Sequence, residues 1–404
     1  MRTMSIPMPD PMAIDVEQCR AETPGCSNVL HFNNAGAALP PQPVLDAQVG
    51  HLKREAAIGG YEAEAEAESQ LQHTYDAIAR MLDCTPEEVA IVENATRAWD
   101  MAFYAMPFEE GDRILTSRAA YASNHIACLQ VARRTGAEVD VVPHDEYGQI
   151  DVEALRSMMD DRVALLALTH VPTNGGLVNP AAQVGEIAGE AGVPFLLDAC
   201  QSAGQMPLSV DEIGCTMLSA TGRKYLRGPR GTGFLYVQKD WIERLEPPLL
   251  DLHAATWTGP DTYEIHSDAR RFETYEGHVA GAVGLGVAVE YALTLGLEAI
   301  SERVQMLADT LRTALSGASG VTVHDAGRTR CGITTFSAEQ KTAPAIQMAL
   351  REHDINVSVS TPSSTRLDAE ARGLPDLVRA SVHYYNTEAE IERFVSRLKS
   401  VLKG

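Results

Sequence analysis

Lysine is scarce in this chain of 404 residues: Lys53, Lys224, Lys239, Lys341, Lys399 and Lys403 are all there are. Basic residues as a group are outnumbered, 33 Lys and Arg against 55 Asp and Glu, for a formal charge of -22. A phosphate backbone or an anionic lipid surface would repel such a molecule, so no nucleic-acid or membrane partner is expected. No stretch approaches the roughly 20 apolar residues of a spanning helix. The start, MRTMSIPMPDPMAIDVEQCR, also lacks the apolar core of a signal peptide, and the expected location is therefore cytoplasmic. Cysteine is sparse as well, at seven residues with no CxxC pair. That excludes a disulfide framework and a zinc cluster, and no metal site is expected. The cysteines are expected to be small buried hydrophobes. Internal repeats and low-complexity linkers are missing too.

What remains is the balance of a soluble globular protein, 45% hydrophobic and 22% charged, long enough for one large and one small domain. A helical pattern over 44–83 is broken at Gly59 and Gly60. Beyond it short apolar runs alternate with helical segments: EVAIV, a helix from Ala95, RILTS, EVDVV, VALLAL, VPFLLDA and GTGFLYV. This alternation predicts an α/β fold with a mostly parallel sheet covered on both faces. After about Gly277 two long helices are followed by the short strands VTVHDA, GITTFS and VRASVHYY. The expected division is a large domain over 26–276 and a small α+β domain over 277–404, with 1–25 packing on the latter.

The scarcity of lysine makes one stand out. SATGRKYLRGPRGTGFLYV places Lys224 among glycines 222, 228, 231 and 233, just before a strand. Such a loop can bring an amine and phosphate-contacting groups against one ligand; the bland alternative is a surface loop. Asp198 lies 26 residues earlier at the end of VPFLLD, where ligands of open α/β sheets bind and where an unpaired acid would cost stability. A helix-cap role for Asp198 is the competing reading. A carboxylate that keeps a pyridine nitrogen protonated, and so makes the ring of pyridoxal 5′-phosphate (PLP) an electron sink, explains it better. In VENATRAWDMAF, Asn94, Ala95 and Thr96 fall between a strand and a helix, where free amides and a hydroxyl suit a phosphate, although an ordinary N-cap looks the same.

In this order and spacing the three elements resemble the class V aminotransferase family, which includes cysteine desulfurases, selenocysteine lyases and isopenicillin N epimerase. The resemblance runs from HFNNAGAALPP to VRASVHYYNTEAEIERFV. It implies PLP fold type I, with a mixed seven-stranded sheet, a homodimer, and PLP as cofactor held by Lys224. It further implies Asp198 at the pyridine nitrogen, Gln201 at the ring's phenolic oxygen, and Ala95, Thr96, Thr221 and Arg223 at the phosphate. Tyr121 falls where the family stacks an aromatic residue on the ring, and Arg379 matches the arginine that grips the substrate α-carboxylate. Asn34, Thr173 and Asn174 are expected in the pocket wall. Glu276, in RFETYEGHVAG, stands where many members carry a threonine that reaches the partner's phosphate, which suggests a loop facing substrate instead.

The stretch NVSVSTPSSTRLDAEARG, where a desulfurase supplies its mobile sulfur-accepting cysteine, contains none. Persulfide chemistry thereby loses its nucleophile. IGGY at 58–61 and RFETYEG resemble the branch holding hercynylcysteine sulfoxide lyases of ergothioneine biosynthesis and the PLP enzymes of cysteine S-conjugates in lincosamide pathways. That similarity implies a C–S β-lyase releasing pyruvate, ammonia and a thiol or sulfenate, with Tyr61, Glu276 and His278 as candidate proton donors to the leaving sulfur. Decarboxylative deamination, transamination and epimerisation are the alternatives. A nicotinamide dehydrogenase would need GxGxxG after a strand, whereas GPRGTG precedes one. A non-catalytic scaffold would have no use for this lysine, aspartate and arginine together.

Overall fold

The computed structural model describes residues 14–403. Its centre is a seven-stranded sheet of β1 (Val89–Val92), β2 (Arg113–Ser117), β3 (Glu138–Val142), β4 (Val163–Thr169), β5 (Phe195–Asp198), β6 (Met217–Thr221) and β7 (Gly233–Val237). The spatial order is β1-β7-β6-β5-β4-β2-β3, parallel throughout except for β7, which runs antiparallel to both its neighbours. Near-continuous apolar strands such as FLLD and GFLYV fit a sheet buried on both faces. Strand β6 is one that hydrophobic patterning misses. Its run MLSAT is interrupted by Ser219 and Thr221, yet every residue in it is buried.

Helices α1 (Gln42–Ile58), α2 (Gly60–Glu66) and α3 (Glu68–Leu82) break at the expected glycine, Gly59, whose φ of 108° suits a residue without Cβ. Helix α4 (Ala95–Phe103) starts directly after β1, where the Asn94 side chain accepts the Arg97 N–H at 2.9 Å. Helix α5 (Ala122–Thr135) follows β2.

A separate antiparallel sheet is formed by β8 (Val321–Val323), β9 (Ile333–Ala338), β10 (Ser358–Ser360) and β11 (Leu377–Ser381) in the order β8-β9-β11-β10. Two expectations about the boundary need correction. Helix α6 (Val279–Leu295), assigned by pattern to the small domain, lies along α1 and α3 of the large one. It is apolar on nearly every face because it is buried on nearly every face. The segment packing on the small domain also continues past residue 25: Leu30–His31 pairs in parallel with Ile355–Asn356, and Asn33 bridges to Ser381. Backbone pairing to a second sheet leaves no periodicity over two residues. The first 13 residues of that segment lie outside the described residues.

Candidate active site

Asp198 is the last residue of β5 and is buried, in register with Thr169 of β4 and Ser219 of β6. It therefore sits at the carboxyl end of the parallel strands, where open α/β sheets bind ligands. Its Oδ2 accepts the Asn124 amide at 2.8 Å and its Oδ1 accepts the Cys200 N–H at 3.0 Å. Asn124 occupies the first turn of α5, whose N-cap is Tyr121, and the Tyr121 N–H donates to Thr169 Oγ1 at 3.2 Å. One helix start thus delivers both the residue that orients Asp198 and a half-open tyrosine ring beside it.

The lysine loop follows β6. Thr221 faces Gly233 across the β6–β7 pair. A Cβ on Gly233 would lie 2.8 Å from the Asn94 carbonyl carbon and 3.0 Å from the Ala95 nitrogen. Only glycine lets β7 pass this close to the start of α4, so the free amides of Ala95 and Thr96 open beside the lysine loop. The Thr96 side chain is exposed there. A turn then reverses the chain, with Lys224 O accepting the Arg227 N–H at 2.9 Å and Gly222 O accepting that of Gly228 at 2.8 Å. Leu285 of α6 fills the space a side chain on Gly222 would need. Within this loop the side-chain amine of Lys224 has no hydrogen-bond or ion-pair partner among the described residues. Desolvation pulls its amine below the ordinary lysine value, against the opposing fields of Cys200 and Asp198. An amine held below its ordinary value gives up its proton more readily, which suits a nucleophile and a base.

Arg379 on β11 faces the same region. Its Nε donates to Ser358 Oγ at 3.0 Å and its Nη1 to Thr173 O at 3.2 Å and to the Thr173 hydroxyl. No carboxylate among the described residues pairs with it. Burial, helped by the Arg223 cation, lowers its guanidinium to about 10 against the opposing effects of Tyr225 and Tyr121. A desolvated arginine with no counter-ion is a binding site for an anion.

Other expected residues are placed differently. Asn34 is fully buried, its amide donating to Ser381 O at 2.7 Å and its oxygen accepting from Tyr385, so it fastens the N-terminal segment and does not wall a pocket. Asn174 donates to Thr365 Oγ1 at 2.8 Å and accepts from Ser360, and it lines a cavity of about 330 Å³ whose walls include none of Lys224, Asp198 or Arg379. Thr173 orients Arg379. Arg223 gives one nitrogen to Gly36 O, with no other protein acceptor among the described residues. The Thr221 hydroxyl donates to Thr232 O at 3.3 Å. Gln201 donates to Ala35 O at 3.1 Å, while its Oε1 is buried without a partner. Tyr61 and Glu276 are not brought to Lys224 within this chain. Tyr61 is 69% exposed with its hydroxyl against Tyr275. Glu276 and His278 line a separate cavity of about 780 Å³ whose walls include none of Lys224, Asp198 or Arg379. The cysteines are not uniformly buried either: Cys26, Cys84 and Cys200 are half-exposed.

Sequence reasoning missed Asn124, Ser358 and the placement of Cys200. The spacing of Asn124, three residues after Tyr121 at a helix start, is a usable signal for the first. Cys200 follows Asp198 by two, and its thiol lies in the field of that carboxylate and of Lys224. Burial first, and then the Asp198 charge, push its thiol well above the ordinary cysteine value.

Pyridoxal phosphate fits this donor set. Lys224 would carry it, Asp198 would face its ring nitrogen, the open start of α4 would take its phosphate, and the unpartnered Gln201 Oε1 marks a ring-side polar contact still to be made. A protein of Methanothermobacter thermautotrophicus named as a probable cysteine desulfurase is 27% identical over 95% of this chain and 98% of its own length. One of Xylella fastidiosa with the same name is 29% identical over 97% of each. Among solved structures, an apo cysteine desulfurase from Thermococcus onnurineus superposes with a TM-score of 0.89 over the full length of both chains at 24% identity. A cystine C–S lyase in complex with its product cysteine persulfide gives 0.82 at 22% identity, covering 93% of this chain and 99% of that one. The fold is therefore PLP fold type I. The family model for aminotransferase class V matches residues 30–394, and the chain belongs to that family of pyridoxal-phosphate enzymes.

Proposed function

We propose that this enzyme is a C–S β-lyase acting on an S-substituted cysteine, a thioether or sulfoxide conjugate, and releasing pyruvate, ammonia and a thiol or sulfenate. The observation that carries this is the 356–373 stretch, which holds no cysteine and is built as a strand, a turn and a short helix. When bound, pyridoxal phosphate withdraws electrons from the substrate α-carbon, so that a proton there can be removed and a β-substituent expelled. Arg379, pre-oriented by Thr173 and Ser358, holds the α-carboxylate. The Lys224 amine, kept low in proton affinity by burial, takes the α-proton. Asp198, held by Asn124 and the Cys200 N–H, keeps its carboxylate in place against the positive charge of the ring nitrogen. None of these steps uses an enzyme thiol.

Incubating the holoenzyme with a panel of S-substituted cysteines is expected to yield pyruvate and ammonia in equal amounts with little alanine. A keto acid or aldehyde that retains its sulfur would move the enzyme to transamination or decarboxylative deamination instead. The second reading is cysteine desulfuration. The names of the relatives favour it, as does the nearness of the Cys200 thiol to Lys224. Its raised pKa makes that thiol a poor nucleophile at neutral pH, and alanine with protein-bound sulfur would be its signature.

We also infer a homodimer, in which Tyr61, Glu276 and His278 reach the partner's site and supply the proton the leaving sulfur needs. Tyr61, Tyr275, Trp257 and Tyr263 are between 48% and 79% exposed, aromatic surface that a partner subunit would cover. Sedimentation at catalytic concentrations is expected to show a dimer. A fully active monomer would remove the partner from the site.

A further inference from the structure

Beyond the backbone pairing of Ser358–Ser360 with Leu377–Arg379, side chains fasten the 358–372 segment at three points. At its start Ser358 Oγ accepts the Arg379 Nε–H at 3.0 Å. In its middle Ser360 donates to Asn174 Oδ1, and the Asn174 amide donates to Thr365 Oγ1 at 2.8 Å. At its end Asp368, only 6% exposed, accepts from Arg118 Nε at 3.0 Å and Nη2 at 2.9 Å through one oxygen. Its other oxygen accepts from Arg372 Nη1 at 3.1 Å, and Arg372 in turn donates to His324 O. Arg118 is the first residue after β2 and stands three before Tyr121.

A continuous path therefore joins the wall that carries Tyr121 to the strand that orients Arg379: Arg118, Asp368, the segment, Ser358, Arg379. Among the described residues Ser358 and Thr173 accept from the Arg379 guanidinium; Ser358 stays paired with Arg379 in the sheet, so a loosened segment disturbs the aim of its hydroxyl without removing the strand. The Asn174 bonds alone are neutral and worth little each. The buried carboxylate between two guanidinium groups is the strong fastening, because losing its charge leaves two cations facing each other.

We propose that Asp368 is a positioning residue which latches the 358–372 segment as a fixed wall of the substrate pocket and thereby sets Arg379 to receive the α-carboxylate. The proposal rests on the assignment of Arg379 as carboxylate anchor, but not on which bond of the substrate is broken. A latch changes the fraction of molecules able to bind, and the apparent affinity for an amino acid scales with that fraction.

In the holoenzyme, Asp368→Asn is expected to raise KM for an amino-acid substrate about tenfold while kcat stays within roughly threefold. Arg118→Gln, which cuts the same bond from the large domain, is expected to reproduce the split. The double variant should be no worse than Asp368→Asn alone, since that change already removes the bond to Arg118. If Asp368→Asn does not fold, Arg118→Gln carries the test alone. Backbone hydrogen exchange over 358–372 is expected to quicken in both variants and to slow again when L-alanine is added. A lowered Tm with unchanged KM and unchanged exchange in the segment would reduce Asp368 to a structural ion pair and overturn the proposal. Faster exchange and weaker L-alanine binding in an enzyme that turns out not to release pyruvate would leave the latch standing and remove only the lyase assignment.

Discussion

Replacing Lys224 with alanine is expected to lower turnover by about 10³-fold or more, since in the proposed mechanism one group both carries the cofactor and moves the α-proton. Borohydride reduction of the wild type followed by peptide mapping should place the cofactor on the peptide containing Lys224, and the variant should show no such adduct. Lys224 is suited to this role by what surrounds it. Among the described residues its amine has no hydrogen-bond acceptor, desolvation holds that amine below the ordinary value, and its loop is gripped from outside. The Ala38 N–H donates to Arg223 O at 2.9 Å, and the ring Nε2 of His383 contacts Tyr225 O at 2.8 Å. Because a desolvated amine adds nothing to stability at neutral pH, Lys224→Ala should unfold at a Tm equal to or above that of wild-type apoenzyme. A reducible adduct in the variant at another lysine would contradict the assignment of the site.

Arg379→Met is expected to cost about 3 kcal/mol of transition-state binding, roughly two orders of magnitude in kcat/KM, with most of the loss in KM. Lysine at the same position should recover little, because a point charge cannot reproduce the two-pronged grip of a guanidinium on a carboxylate. Stability should move the other way. The folded protein holds this guanidinium at about 10, below the ordinary 12.5, through burial without a counter-ion. The folded state thus disfavours the charged form, and removing it should leave thermal stability unchanged or raised. Kinetics on Arg379→Met and Arg379→Lys beside thermal melts would read both effects. A variant that loses stability in proportion to its activity would show Arg379 to be a structural strut.

The parts of this site that follow from local chemistry are legible in the chain. Lys224 in its glycine-rich loop, Asp198 at a strand end and the helix start at Asn94 each announce themselves within a dozen residues. The strands RILTS and EVDVV coincide with β2 and β3 residue for residue. What is not legible depends on partners far away in sequence. Asn34 looks like a pocket residue until its bond to Ser381, 347 positions on, is known. Asn174 looks the same until it is found holding Thr365, 191 positions on. Strand β6 hides because burial of Ser219 and Thr221 is a tertiary outcome that overrides polarity. Tyr61 and Glu276, singled out by similarity, lie away from Lys224 within this chain, and only the proposed dimer would bring them to such a site.

Where the sulfur goes decides the account most directly. A cysteine conjugate labelled at its sulfur should, after complete turnover without added reductant, leave all of its label in a small-molecule thiol or sulfenate. Pyruvate should match that label one for one, and the intact mass of the protein should be unchanged. Label retained on the protein, with alanine in place of pyruvate, would show that an enzyme cysteine takes the sulfur and that elimination is not the reaction.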